Sequence, residues 1–165
     1  MTPTREEILG ASVRQRGRTF EDFEIGKTYN HHWGRTIGSA DNILFSTSTL
    51  QINPIYFNRR HAEMLGHRDI VVAPMLVFSI VFGLSVEDLS ERGGAFLGVE
   101  ELTFHKPVYP EDTLTARSTV VSLRESRSDE RHGIATWHTE GFNQDGERVV
   151  DFKRSNLVIK QEFAA

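Results

Sequence analysis

The sequence predicts an α+β fold in which one long apolar helix, beginning at Pro74, is wrapped by an antiparallel sheet. Three observations point there. The run Ile70 to Val86 carries no formal charge, yet Pro74 interrupts it, because proline cannot continue a helix that started earlier. From Pro74 onward, Met75, Leu76, Val77, Phe78, Ile80, Val81, Phe82, Leu84 and Val86 point all round the axis, so this helix must be covered on every side. Past Gly93-Gly94 the hydrophobic period changes to two, the spacing of strands. A curved antiparallel sheet, helped by other segments or a second subunit, is the arrangement that covers such a helix.

The elements follow in order. Thr4 and Glu7 have the spacing of a capping box ahead of Ile8, Leu9 and Val13, so residues 1–18 read either as a short helix or as a frayed tail. Between Thr28 and Ile37, Tyr29, His31, Trp33, Arg35 and Ile37 share one face at period two, which predicts a strand. Ser39 is placed to cap a helix with Asp41 and Asn42 in its first turn and Ile43, Leu44, Phe45 and Leu50 as its apolar residues. A tight Gln51-Ile52-Asn53-Pro54 segment leads into a short helix from Tyr56 to Leu65, which Gly66 stops. After the long helix a four-strand meander is predicted over Phe96 to Val108, Thr113 to Arg124, Gly133 to Phe142 and Glu147 to Lys160. Pro110-Glu111-Asp112 and Asp145-Gly146 mark two of its turns. The folded domain is expected over 19–160, with a C-terminal tail over 161–165.

Composition narrows the chemistry. The 165 residues suit one domain with a real core. There is no cysteine, which excludes disulfides and thiolate chemistry, so any catalysis uses oxygen and nitrogen groups. The net charge of -4, with Lys and Arg scattered among Asp and Glu, gives no basic stripe, and nucleic acid is not an expected partner. Met1 to Gly10 holds Glu6 and Glu7 and no apolar segment, unlike a secretory signal. At about 1.5 Å per residue the long helix spans on the order of 20 Å, short of a bilayer's roughly 30 Å core. A cytoplasmic protein without a membrane partner is the expectation.

Three segments, in this order and spacing, carry a resemblance. They are Phe20-Glu21-Asp22-Phe23-Glu24-Ile25-Gly26, Asn53-Pro54-Ile55-Tyr56, and Phe104-His105-Lys106-Pro107-Val108-Tyr109-Pro110-Glu111-Asp112-Thr113-Leu114. From Thr19 to Lys160 the chain resembles the MaoC-like dehydratases, which include the (R)-specific enoyl-CoA hydratases, and within them members acting on mesaconyl-CoA or itaconyl-CoA. The resemblance implies a single hot-dog fold, a homodimer or a hetero-oligomer with another hot-dog subunit, an acyl-CoA thioester as substrate, and no cofactor beyond the CoA that the substrate carries.

Hydrating a double bond conjugated to a thioester needs a base for the water, a proton for the α-carbon and donors for the enolate oxygen. The family meets the first two needs with an Asp-x-Asn-Pro-x-His pattern. Here those positions read Gln51, Ile52, Asn53, Pro54, Ile55 and Tyr56: the frame is kept and the ionisable pair is not. A glutamine amide holds a water or carbonyl but takes no proton, and a phenol near pKa 10 is a poor base at neutral pH. Two readings of Gln51 and Tyr56 therefore stand, catalysis by an altered pair or plain loop packing. His105 is the candidate replacement imidazole, its alternative being a partly exposed strand residue.

The family's His-Gly at the start of the long helix is Ala73-Pro74 here. Proline has no N–H, which shifts any oxyanion contact to Met75 or a later first-turn amide. Asn53 reads as a loop-bonding residue beside Pro54. Lys106 and Arg154 are candidates for CoA phosphates, against the default of solvated strand charges. No histidine or carboxylate spacing makes a metal site: His31 and His32 face opposite ways on a strand, and His61 and His67 fall on or after an exposed helix. Two other functions compete with hydration. One is an acyl-CoA-binding or partner subunit that has lost the pair. The other is a thioesterase, which the absence of a carboxylate between Pro74 and Val86 disfavours.

Overall fold

The computed structural model of the chain describes residues 17–164, so the N-terminal helix or tail expected from Thr4 and Glu7 lies outside the described residues. Strands β1 (Thr28–Asn30), β2 (Arg35–Thr36), β3 (Phe96–Phe104), β4 (Thr113–Glu125), β5 (His132–Phe142) and β6 (Arg148–Ile159) combine with helices α1 (Ser39–Ser48), α2 (Arg59–Met64), α3 (Pro74–Leu84) and α4 (Val86–Leu89). Every strand pair is antiparallel, in the order β1-β4-β5-β6-β3, and β2 also pairs with β4.

The last four strands are therefore not a meander. β3 lies at the far edge against β6, and the chain crosses over before entering β4, whose two sides are taken by β1 with β2 and by β5. The crossover is held by Val108, whose carbonyl accepts from the Val72 amide at 2.8 Å. That bond ties it to the segment entering α3 and removes a hairpin partner. The Asp145-Gly146 turn does make a hairpin, between β5 and β6, with Gly146 at a φ of 73°.

α3 packs on the inner face of the sheet. Its Leu76, Val77, Ile80 and Val81 form one buried cluster with Ile37, Val72, Leu114, Val150 and Phe152. Helix and sheet approach closely at Gly141, where an added Cβ would stand 2.5 Å from a Val81 methyl. A second cluster gathers Phe23, Tyr29, Leu89, Val120, Ala135 and Val158 about Trp137. Period two governs β6, where Val150, Phe152, Arg154, Asn156 and Val158 are buried and the residues between them are not.

Local expectations change at four elements. Among the described residues cover of the long helix is incomplete, because Met75, Ser79 and Gly83 form an exposed stripe one turn apart. The helix also ends at Leu84, where Ser85 turns its hydroxyl onto the Phe82 carbonyl at 2.7 Å. α1 faces the core with Asn42 and Ser46 while Ile43 and Leu44 are exposed. Its cap is Gly38, whose N–H bonds the Asp41 carboxylate at 3.1 Å, and Ser39 is already helical. The strand expected from Thr28 to Ile37 breaks into β1 and β2, and Trp33 and Arg35 turn outward. Pro54–Tyr56 is a separate 3-10 turn; α2 starts after Asn58, whose side chain caps the His61 amide, and ends before Gly66 at a φ of 88°.

Candidate functional site

The groups around the first turn of α3 are gathered by one buried amide. Asn42 Nδ2 donates to the carbonyls of Tyr56 (2.8 Å) and Val71 (2.9 Å), and its Oδ1 accepts from the Ala73 amide at 2.8 Å. The Val71 amide bonds the Ile55 carbonyl at 3.0 Å. Within the loop, Asn53 Oδ1 accepts from the Ile55 amide at 3.2 Å. These bonds fix the Asn53-Pro54-Ile55-Tyr56 turn against the strand-like segment that leads into Pro74.

Pro74 stands on the wall of a cleft of about 300 Å³ with Val72, Val77, Phe104, His105 and Lys106. His105 follows β3, and its Nε2 bonds one oxygen of Asp151 on β6. The other Asp151 oxygen takes Nε2 of His138 on β5 at 2.6 Å. All three side chains are partly exposed. Burial pushes the Asp151 carboxyl up, but the bonds from His138 and His105 and the charge of Arg148 outweigh it and hold the group below its ordinary range. Lys106 pairs with Glu147, both about half exposed.

The other sequence candidates fall elsewhere. Gln51 Nε2 bonds Thr49 Oγ1 at 3.2 Å on the exposed side of the loop, and Tyr56 lays its ring against the α3 core; neither lines the cleft. Ala73 is fully buried and its amide is taken by Asn42. Pro74 has no N–H, so the first amide α3 can offer a ligand is that of Met75, which is exposed.

Arg154 corrects an expectation outright. It is fully buried, with its guanidinium 4.5 Å from the Phe82 ring and 5.3 Å from that of Trp137, and so it cannot meet a CoA phosphate in solvent. The strand alternation that buries Phe152 buries it too. Burial pushes the guanidinium down to about 10, leaving it charged at neutral pH. It lies at the C-terminal end of α3, the negative pole of that helix, with Nη2 3.5 Å from the Ser85 carbonyl.

Beside that end, His31 bonds Asp88 through Nδ1 (2.7 Å) and Ser118 Oγ through Nε2 (2.9 Å), and Ser118 bonds Thr139 at 2.8 Å. The order of groups is that of a Ser-His-Asp nucleophile. Ser118 and Thr139 have no exposed surface, however, so no substrate reaches them and the chain of bonds is structural. Burial lowers the His31 pKa against the opposing pull of Asp88, and Arg154 and His32 lower it further.

Asn42, Asp151 and His138 are the residues that sequence reasoning does not find. Asn42 reads as one more polar residue in a first turn, and the partners of Asp151 lie 46 and 13 positions away.

A family model described as mesaconyl-CoA hydratase matches residues 3–165. The mesaconyl-CoA hydratase of Haloarcula hispanica is 36% identical over 94% of this chain and 44% of its own length. The (R)-specific enoyl-CoA hydratase of Aeromonas caviae is 30% identical over 79% of this chain and 91% of its own. A solved structure described as a putative MaoC domain protein dehydratase from Chloroflexus aurantiacus superposes with a TM-score of 0.85 at 34% identity, over 92% of this chain and 43% of that one. The chain thus spans less than half the length of the mesaconyl-CoA hydratase relative. Its fold is the hot-dog fold, and the chain belongs to the mesaconyl-CoA hydratase family.

Proposed function

We propose that the chain hydrates, or in reverse dehydrates, an enoyl-CoA thioester, with a branched or dicarboxylic acyl group such as mesaconyl, and that His105 replaces the family's Asp and His pair. The observation that carries the reading is a histidine that lines the cleft beside the first turn of α3 and bonds a carboxylate. With Nε2–H donated to Asp151, Nδ1 of His105 keeps the lone pair. It takes a proton from water as the water oxygen bonds the β-carbon. The double-bond electrons move onto the thioester as an enolate, and the imidazolium returns the proton to the α-carbon. The Met75 amide, at the positive end of that helix, stabilises the enolate oxygen, since the Leu76 and Val77 amides bond the Ala73 carbonyl. Lys106, on the same wall, is the cation the cleft offers the CoA phosphates, which would take it from Glu147. The mechanism requires no cofactor.

The test is hydration of mesaconyl-CoA, itaconyl-CoA and crotonyl-CoA by the purified chain, followed by loss of the enoyl thioester absorbance. The reading requires turnover that His105→Gln abolishes and that a Gln51→Ala, Tyr56→Phe double variant retains. Loss of activity in Tyr56→Phe with His105→Gln unaffected would return catalysis to the loop. Release of free CoA thiol without hydration would make the chain a thioesterase.

A second reading has its own support, the exposed Met75, Ser79 and Gly83 stripe together with the span of less than half a relative. In it, a second hot-dog unit covers α3 and completes the site. Acyl-CoA binding without turnover by the chain alone, with turnover on adding a second hot-dog chain, is its signature.

A further inference from the structure

Two chain segments that pass each other in opposite directions flank the cleft beside α3. They are joined midway by the 2.8 Å bond from the Val72 amide to the Val108 carbonyl. To one side of that bond lies the cleft, lined by Pro74 and Val77 from one segment and by Phe104, His105 and Lys106 from the other. To the other side the same segments are joined by Arg68 and Asp112, which pair at 2.8 Å. Lys106 and Tyr109 are three positions apart, about 10 Å of extended chain.

Arg68 is fixed in place and still has donors to give. Its guanidinium stands 4.5 Å from the centre of the Tyr109 ring, and the hydroxyl of that ring is bonded to His67 Nδ1 at 3.1 Å. A guanidinium has five N–H groups. Among the described residues only Nη2 of Arg68 is engaged, by Asp112, on a side chain that is 62% exposed. Asp112 has other donors, the Tyr109 amide at 2.9 Å on one oxygen and Gln144 Nε2 at 3.1 Å on the other. An anion can therefore engage Arg68 without stranding a buried carboxylate. Arg59 differs, because its Nε and Nη2 both bond Asp69, at 2.7 and 3.1 Å, and that side of its fork is occupied.

CoA carries a pyrophosphate and a 3′-phosphate at the end remote from its thioester. Lys106, already paired with Glu147, does not balance so many charges alone. A planar guanidinium with two neighbouring N–H groups to offer matches a phosphate bidentately, which an ammonium does not. We propose that Arg68, braced on Tyr109, binds a phosphate at the nucleotide end of a CoA thioester whose acyl end lies in the cleft. This rests on the acyl-CoA reading of the cleft and adds a second contact outside its lining.

The test is calorimetric titration of the purified chain with CoA, 3′-dephospho-CoA and pantetheine, none of which can be hydrated. Arg68→Gln keeps a donor for Asp112 and removes the charge. It should weaken CoA about tenfold, the scale of one hydrogen bond to a charged group, and leave pantetheine unchanged. Arg68→Lys, which keeps the charge without the fork, should recover part of the loss. In hydration assays KM for crotonyl-CoA should rise by a similar factor at constant kcat. A tenfold loss shared by 3′-dephospho-CoA would put the pyrophosphate on Arg68, and a loss confined to CoA would put the 3′-phosphate there. Unchanged CoA affinity in Arg68→Gln overturns the proposal. So does an equal loss in Arg60→Ala, which would reveal a diffuse field of charge in place of a defined contact. CoA binding that depends on Arg68 in a chain that hydrates nothing would sink the hydratase assignment and leave the phosphate contact standing. Hydration by a chain whose CoA affinity is indifferent to Arg68 would sink only the contact.

Discussion

The two ends of α3 hold similar side chains to opposite effect. At the N-terminal end a histidine and a lysine line an open cleft, the histidine bonded to a carboxylate outside it, over a backbone pinned by Asn42. At the C-terminal end an imidazole, a carboxylate, two hydroxyls and an arginine are sealed between helix and sheet. Chemistry needs more than the right groups in the right order. The sealed end has the sequence of contacts of a hydrolase triad and no path to it, whereas the open end has access and a group whose second nitrogen remains to do work.

Substitutions can break this contrast. The largest effect should come from Asn42→Leu, which leaves two buried carbonyls and one buried amide without partners. Unpaired groups of this kind cost about 1–3 kcal/mol each, so chemical denaturation should show a loss of about 4 kcal/mol. A midpoint that does not move would mean the pin is dispensable. Next, His105→Gln should lower kcat for hydration by about 100-fold, the scale of general acid–base catalysis, while leaving the denaturation midpoint nearly unchanged.

At the sealed end the expected effects are smaller. Arg154→Met replaces a buried cation with an apolar chain of similar reach, and stability at neutral pH should hold or rise by about 1 kcal/mol. A large loss would show that the helix pole and the two aromatic rings more than offset the burial of the charge. The smallest effect concerns His31. Its pKa is lowered in the fold, so the unfolded chain takes up a proton more readily, and stability should fall as pH drops through the ordinary histidine range near 6.5. His31→Gln, which bonds without titrating, should flatten that part of the stability profile.

Much of the scaffold is legible in the sequence because it depends on local rules. Pro74 starts α3 where a missing N–H does no harm, Gly66 follows α2 with positive φ, and Asp145-Gly146 turns the β5–β6 hairpin. In β6 Arg154 stands two residues from both Phe152 and Asn156, so the alternation that buries them buries it, against the expected solvent contact. What is not legible is long-range. The position of β3 depends on which strand edges β1 and β2 have occupied. The bonds of Asn42 and Asp151 join residues whose spacing follows no helical or strand period. His105 could be named from its place before Lys106-Pro107, but its carboxylate could not.

Asn42 joins the loop before α2, the segment before α3 and α1 itself at a single side chain. Such a junction bears on time as well as on energy. None of the three segments can open alone without leaving the other two short of a partner, so their motions are correlated. Amide hydrogens from Val71 through Ala73 should then exchange with solvent in one slow event close to the opening of the whole domain, instead of at the faster rate of an independent surface loop. The edge against which a thioester would settle is set when the chain folds, and a ligand would find it already in place.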